Sequence, residues 1–154
     1  MGWRYNRRVL ALALLLLASD ALLIPAGRPA PYLEGKTLEG NSWGAELTGQ
    51  VTIVEFFATW CPACRRSLSG YRSLVADRRV QLIIVDVGEE PELVKEFFSR
   101  NPPPERAGIL LDTDGRIKRR WGVTGIPGVF LIDQTGTVRD SRDRARQLGV
   151  EVVR

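Results

Sequence analysis

Two short apolar runs, VTIVEFF at residues 51–57 and VQLIIVDV at 80–87, bracket a stretch with a very different pattern. Both runs are rich in β-branched and aromatic side chains and read as buried strands. Between them, residues 62–78 can form a helix, with Leu68, Tyr71, Leu74 and Val75 on one side and arginines elsewhere. A second helix is predicted over 91–100, where Leu93, Val94, Phe97 and Phe98 recur at helical spacing and Pro91 suits the first turn. Asn101 to Pro104 ends it. Residues 108–111 suit a short strand, and Gly115 to Trp121 a helical turn. GVFLID at 128–133 suits a further strand, and a turn at Gln134-Thr135-Gly136 leads to a hairpin partner at Thr137 to Arg139. Asp140 to Leu148 is charged and is predicted to be a C-terminal helix. Strands alternating with helices and closing on a hairpin define an α/β domain with a mixed sheet.

Composition fits a single packed domain of this kind. The chain has 154 residues, of which 44% are hydrophobic and 26% charged, ordinary values for a folded rather than a disordered chain. It has no histidine and two cysteines. Ser-His-Asp and Cys-His catalysis and His-ligated metal centres are excluded, and two cysteines cannot complete a four-thiolate site within one chain. The net charge is +4, but Arg4, Arg7 and Arg8 lie at the very start; beyond residue 24 there are 19 basic and 17 acidic side chains. That balance does not suit nucleic-acid binding.

Those arginines precede VLALALLLLASDALLI at 9–24, the layout of an export signal. The unbroken apolar run from Val9 to Ala18 is short for a bilayer span, and Ser19-Asp20-Ala21 carries small residues at the two positions a signal peptidase reads. Residues 1–24 are therefore expected to be either a cleaved signal peptide or a membrane anchor helix, with the remainder outside the cytoplasm in both cases. Residues 25–30, within the Pro/Gly-rich PAGRPAPYLEGK, are expected to be a linker, and 31–154 the folded domain.

The chemistry is concentrated at Trp60-Cys61-Pro62-Ala63-Cys64, between a buried strand and a helix. A cysteine at a helix N-terminus meets unpaired N–H groups and the positive end of the macrodipole, which favours thiolate and makes Cys61 a nucleophile. Arg65 and Arg66 add positive potential if they point that way. Pro62 fits the first helical position. Cys64, one turn on, is expected to be more shielded and to resolve the mixed disulfide by forming Cys61–Cys64. Glu55 interrupts an apolar strand six residues before Cys61. If the strand is interior, desolvation raises its pKa and it can take the Cys64 proton through water; on an edge strand it would simply meet solvent. Gly125-Ile126-Pro127-Gly128 precedes the GVFLID strand; the Ile126–Pro127 bond is open to either isomer, and in cis, facing the cysteines, the Ile126 backbone could pair with an extended substrate.

FFATWCPAC, LLDTDGRIKRRWGVTGIPGVFLIDQTG and the exported N-terminus together resemble the TlpA/ResA-like branch of the thioredoxin superfamily, over roughly residues 31–150. The resemblance implies a thioredoxin fold with a central mixed sheet flanked by helices. It implies Cys61 as nucleophile, Cys64 as resolver, Pro127 as the cis-proline against the active site and Glu55 at the buried-acid position. Trp60, Pro62, Ala63, Ile126 and Pro127 are the expected substrate-binding residues. It implies disulfide or dithiol client proteins, apocytochrome c among them, and electrons from a membrane thiol donor of the DsbD/CcdA kind, with no cofactor and no metal.

Ser67 stands where several apocytochrome-reducing members carry glutamate, and Gly128-Val129 replaces a more polar pair after the proline. Pro62-Ala63 lacks the histidine of strongly oxidising relatives, which tilts the expected role toward reduction. Competing classes fare worse. A copper carrier on this fold needs a histidine, and a peroxiredoxin needs threonine where Ala58 stands. The remaining alternative is a tethered thioredoxin-fold binding module with a non-catalytic CXXC. Trp121 is expected to pack beneath the helical turn, Trp43 to fill the core, and Arg116, Lys118, Arg119 and Arg120 to form a solvated face.

Overall fold

The computed structural model describes residues 23–142; the predicted signal or anchor segment, up to residue 22, and most of the predicted C-terminal helix lie outside them. Among the described residues, seven strands and three helices follow one another as β1 Leu33–Thr37, β2 Ser42–Ala45, β3 Val51–Phe57, α1 Pro62–Val75, β4 Val80–Val87, α2 Pro91–Arg100, β5 Gly108–Asp112, α3 Arg116–Arg120, β6 Gly128–Ile132 and β7 Val138–Arg142. The strands form one sheet in the order β2-β1-β5-β4-β3-β6-β7. β3, β4 and β5 pair in parallel, and the other pairings are antiparallel. The expected mixed sheet flanked by helices is thus present.

Alternation along β3 explains the layering, because successive side chains in a strand leave opposite faces. Ile53 and Phe57 join Leu68, Tyr71 and Val75 of α1 and Val94 and Phe98 of α2 on one face. Val54 and Phe56 join Phe130, Ile117 and Trp121 on the other. There Trp121 is fully buried, with its ring centroid 4.9 Å from Phe130 and 5.9 Å from Phe56. Burying side chains of this size is worth about 1.5–3 kcal/mol each. The central strands β3 and β4 are therefore covered on both sides, as their unbroken apolar runs demand.

Backbone constraints fix the loops around α3 and β6. Asp112 accepts from the N–H groups of Ile117 and Lys118 at 2.8 and 2.7 Å, capping the start of α3. Gly115, immediately before that helix, has φ +69°, where a side chain is strained. Gly128 is needed for space, since a Cβ there would lie 2.8 Å from Val123 Cγ1.

Two expectations need correction, and one hairpin has no counterpart among them. Asp140 to Arg142 belong to β7 rather than to a helix, because β6 supplies their hydrogen-bonding partner. Trp43 is only half-buried, on edge strand β2, and does not fill the core. The β1–β2 hairpin was not expected from LEGKT and SWGA. The lead-in is also fastened to the sheet: Gly27 N–H donates to Val138 O at 2.8 Å, and Val138 N–H donates to Arg28 O at 2.9 Å.

Candidate active site

The strand-to-helix turn after β3 carries both cysteines. Cys61 is the N-cap of α1, with extended backbone (φ −84°, ψ 109°), and its sulfur accepts from Cys64 N–H at 3.2 Å. Pro62 occupies the first turn, where its missing N–H costs nothing. Cys61 and Cys64 form a disulfide with Cα atoms 5.3 Å apart. Cys61 retains 5% exposure and Cys64 none, the asymmetry expected of an attacking and a resolving thiol. Trp60, next to the pair, is 66% exposed. Pro62 is exposed and Ala63 half-buried beside it.

Arg65 is engaged by two other groups. Its Nε donates to Thr59 O at 2.8 Å, and its guanidinium carbon sits 5.4 Å from the centre of the Phe97 ring. Thr59 is clamped a second time, its N–H and hydroxyl donating to Glu89 at 2.5 and 2.6 Å. Both contacts steady the turn entering Trp60-Cys61.

The Ile126–Pro127 bond is cis. Pro127 is buried, and the next residue begins β6, where Gly128 pairs with Phe56 of β3. That antiparallel register carries Pro127 alongside the strand end that leads into the cysteine turn. Ile126 packs against the cluster holding Cys61 and Cys64.

Glu55 lies on an interior strand, flanked by β4 and β6, and is fully buried; the solvent-edge alternative does not hold. It shares the α1 face of the sheet with Ile53 and Phe57. Its Oε1 is 2.6 Å from Ser67 Oγ, and its Oε2 has no partner. Burial pushes its pKa up to about 8, opposed by Ser67 and then by the Tyr71 hydroxyl. A carboxyl poised there can exchange a proton near neutral pH.

A second buried acid escaped the sequence reading. Asp86 of β4 is 1% exposed and neither carboxyl oxygen has a hydrogen-bond partner. Burial, then the neighbouring Glu89 carboxyl, push it up to about 8. The signal was visible, since Asp86 interrupts an apolar run just as Glu55 does. Ser67 and Glu89 gave no such signal, because their partners are distant in sequence. Among the described residues, no group of three or more His, Cys, Asp or Glu side chains is arranged to hold a metal ion.

The chain is similar to known proteins along most of its length. Residues 26–141 match the AhpC/TSA family. A thiol:disulfide interchange protein DsbE homolog of Paracoccus denitrificans is 33% identical over 132 residues, 80% of this chain and 70% of that one. Sporulation thiol-disulfide oxidoreductase A of Bacillus subtilis is 27% identical over 120 residues, 74% of this chain and 71% of its own. The crystal structure of StoA from Bacillus subtilis superposes with a TM-score of 0.61 at 28% identity, covering 80% of this chain and 96% of that one. A strand–CPAC–helix turn on a thioredoxin-like sheet, matched along most of its length by such relatives, places the chain in the AhpC/TSA family as a thioredoxin-fold thiol–disulfide oxidoreductase.

Proposed function

We propose that this oxidoreductase works outside the cytoplasm as a reductant of disulfides in client proteins, apocytochrome c being one candidate class. The observation that carries the proposal is the Cys61 N-cap: a slightly exposed sulfur receiving the Cys64 N–H, with Cys64 itself fully buried behind it. In the reduced protein, the Cys61 thiolate attacks a client disulfide, forming a mixed disulfide and releasing one client thiolate. Glu55 takes the Cys64 proton, through water. The Cys64 thiolate then attacks Cys61 Sγ, closes Cys61–Cys64 and expels the second client thiolate. Two electrons pass to the client. A membrane dithiol donor of the DsbD/CcdA kind would return them. Trp60, Pro62, Ala63, Ile126 and the cis Pro127 would form the surface along which an extended client segment lies.

Residues 1–24 would act as signal peptide or anchor, 25–30 as the lead-in and 31–154 as the redox domain. Among the described residues, no helix is long and apolar enough to cross a membrane.

The proposed direction of electron flow is supported by the neighbours of Cys61, which add little to the thiolate stabilisation that the helix N-terminus itself supplies. A strong oxidant of this fold owes its potential to a stabilised reduced form. Here Pro62 and Ala63 supply no charge or side-chain donor, and Arg65 is engaged by Thr59 and Phe97. Equilibration with glutathione mixtures, read by Trp60 fluorescence, should give a potential more negative than about −200 mV, within a superfamily span of about −270 to −120 mV. A value near the oxidising end of that span would overturn the reductant role.

A further inference from the structure

Ser67 sits one turn beyond Cys64, and its hydroxyl has two short partners. Oγ lies 2.6 Å from Glu55 Oε1 and 2.7 Å from the Cys64 carbonyl oxygen. Ser69 and Ser73 of the same helix make the ordinary bond to the carbonyl three residues back, at exposed positions. Ser67 makes that bond too, but its oxygen also meets a carboxyl inside the core.

A hydroxyl owns one proton, which it must share or alternate between these two acceptors. With Glu55 protonated, Glu55 donates to Ser67 Oγ, and Ser67 donates to the Cys64 carbonyl. With Glu55 ionised, the Ser67 hydroxyl turns to the carboxylate and the Cys64 carbonyl loses that partner. Both contacts are short beside the closed Cys61–Cys64 disulfide, so a rotation of the hydroxyl alone passes from one arrangement to the other.

We propose that Ser67 is a positioning residue for the exchange reaction, its hydroxyl switching between the Cys64 carbonyl and the Glu55 carboxylate as Glu55 gains or loses the Cys64 proton. The proposal rests on the role given to Glu55 above. The proton balance is closed. In the mixed disulfide, ionised Glu55 accepts the proton of Cys64 Sγ–H, and the thiolate attacks Cys61 Sγ. The Cys61–client bond breaks and the client leaves as thiolate. Glu55 ends protonated and can donate to Ser67, which then donates to the Cys64 carbonyl. Release of that proton to solvent resets the carboxylate.

One other polar group, the Tyr71 hydroxyl, faces Glu55 and Ser67. From α1 the facing titratable groups are Tyr71 and the cysteine pair. From β4 and β6 the register partners are Ile84 and Val129, which carry no charge. The Tyr71 hydroxyl also approaches Glu55 and Ser67, and burial together with the Glu55 carboxyl pushes its own pKa up, so it stays a neutral donor that does not take up the Cys64 proton. Ser67 is also the first factor opposing the upward push of burial on Glu55, as expected of a donor that favours the carboxylate.

The test is the pH dependence of two quantities in wild type, Ser67→Ala and Ser67→Thr. One is the rate of mixed-disulfide resolution in a single turnover with a cysteine-containing peptide disulfide. The other is the Glu55 carboxyl carbon shift, followed by NMR in the oxidised protein, which needs no turnover. In Ser67→Ala both inflections should move up by about one unit, a roughly tenfold loss of ionised Glu55 at neutral pH. Ser67→Thr, which keeps the hydroxyl, should restore both. An unchanged carboxyl inflection in Ser67→Ala overturns the proposal, as does a resolution profile that superposes on wild type. A carboxyl inflection that moves in a protein with no exchange activity supports the Ser67–Glu55 coupling while overturning the proposed function.

Discussion

Cys64→Ser is expected to stop the exchange half-way, leaving the protein joined to its client through Cys61. The resolving thiol sits in the same turn of helix as its target, with Cα atoms 5.3 Å apart. Intramolecular attack of this kind has an effective concentration far above any free thiol in solution. Without Cys64, release depends on external thiol at millimolar levels, so the adduct should outlive the wild-type intermediate by at least about a thousandfold. Non-reducing electrophoresis and mass spectrometry should find a one-to-one disulfide adduct at Cys61, and the trapped proteins would identify the clients. Cys61→Ser should give no comparable adduct, since the remaining thiol is fully buried. Equal trapping through Cys64 would reverse the assigned roles. A trapped set without apocytochrome c, in a host that makes it, would remove that client class.

Glu55→Gln should change stability in a pH-dependent way. The buried carboxyl has its pKa raised from 4.5 to about 8, so the folded protein holds this proton to higher pH than the unfolded chain does. The stabilisation is complete below about pH 4.5 and is lost as pH rises toward about 8. A shift of this size corresponds to several kcal/mol, at about 1.4 kcal/mol per unit. Glutamine keeps the shape and cannot ionise. The variant should therefore match wild type near pH 5 and exceed it by a few kcal/mol at pH 9. Its own slope should not vanish, because Asp86 has a raised pKa of about 8 as well. Denaturant unfolding from pH 5 to 9 measures both slopes. Parallel curves for the two proteins would show that Glu55 does not hold its proton in the fold.

The central strands and the cysteine turn were legible because their determinants are local. β4 and α2 occupy the expected residues, 80–87 and 91–100, since apolar run length and helical spacing each dominate there. The CPAC turn needed only its own residues and the strand before it. β1 and β2 were not legible: LEGKT and SWGA carry few apolar residues, and their order comes from pairing with β5 and with each other. Asp140 to Arg142 look helical by charge, yet a strand forms because β6 offers unpaired backbone groups. The same contrast holds in the site. Glu55 announced itself as an acid within an apolar run. Ser67, twelve residues away in sequence, gained its meaning only when α1 packed onto β3. The Glu89–Thr59 clamp joins residues thirty apart and has no sequence signature.

Cysteine-dependent turnover tests the central claim most directly. Reduced protein, in the presence of a small dithiol, should accelerate reduction of insulin disulfides, and Cys61→Ser should abolish the acceleration. Absence of turnover in both the reducing and the oxidising direction, with Cys61–Cys64 intact and accessible to dithiol, would contradict the oxidoreductase account and leave a thioredoxin-fold binding module in its place.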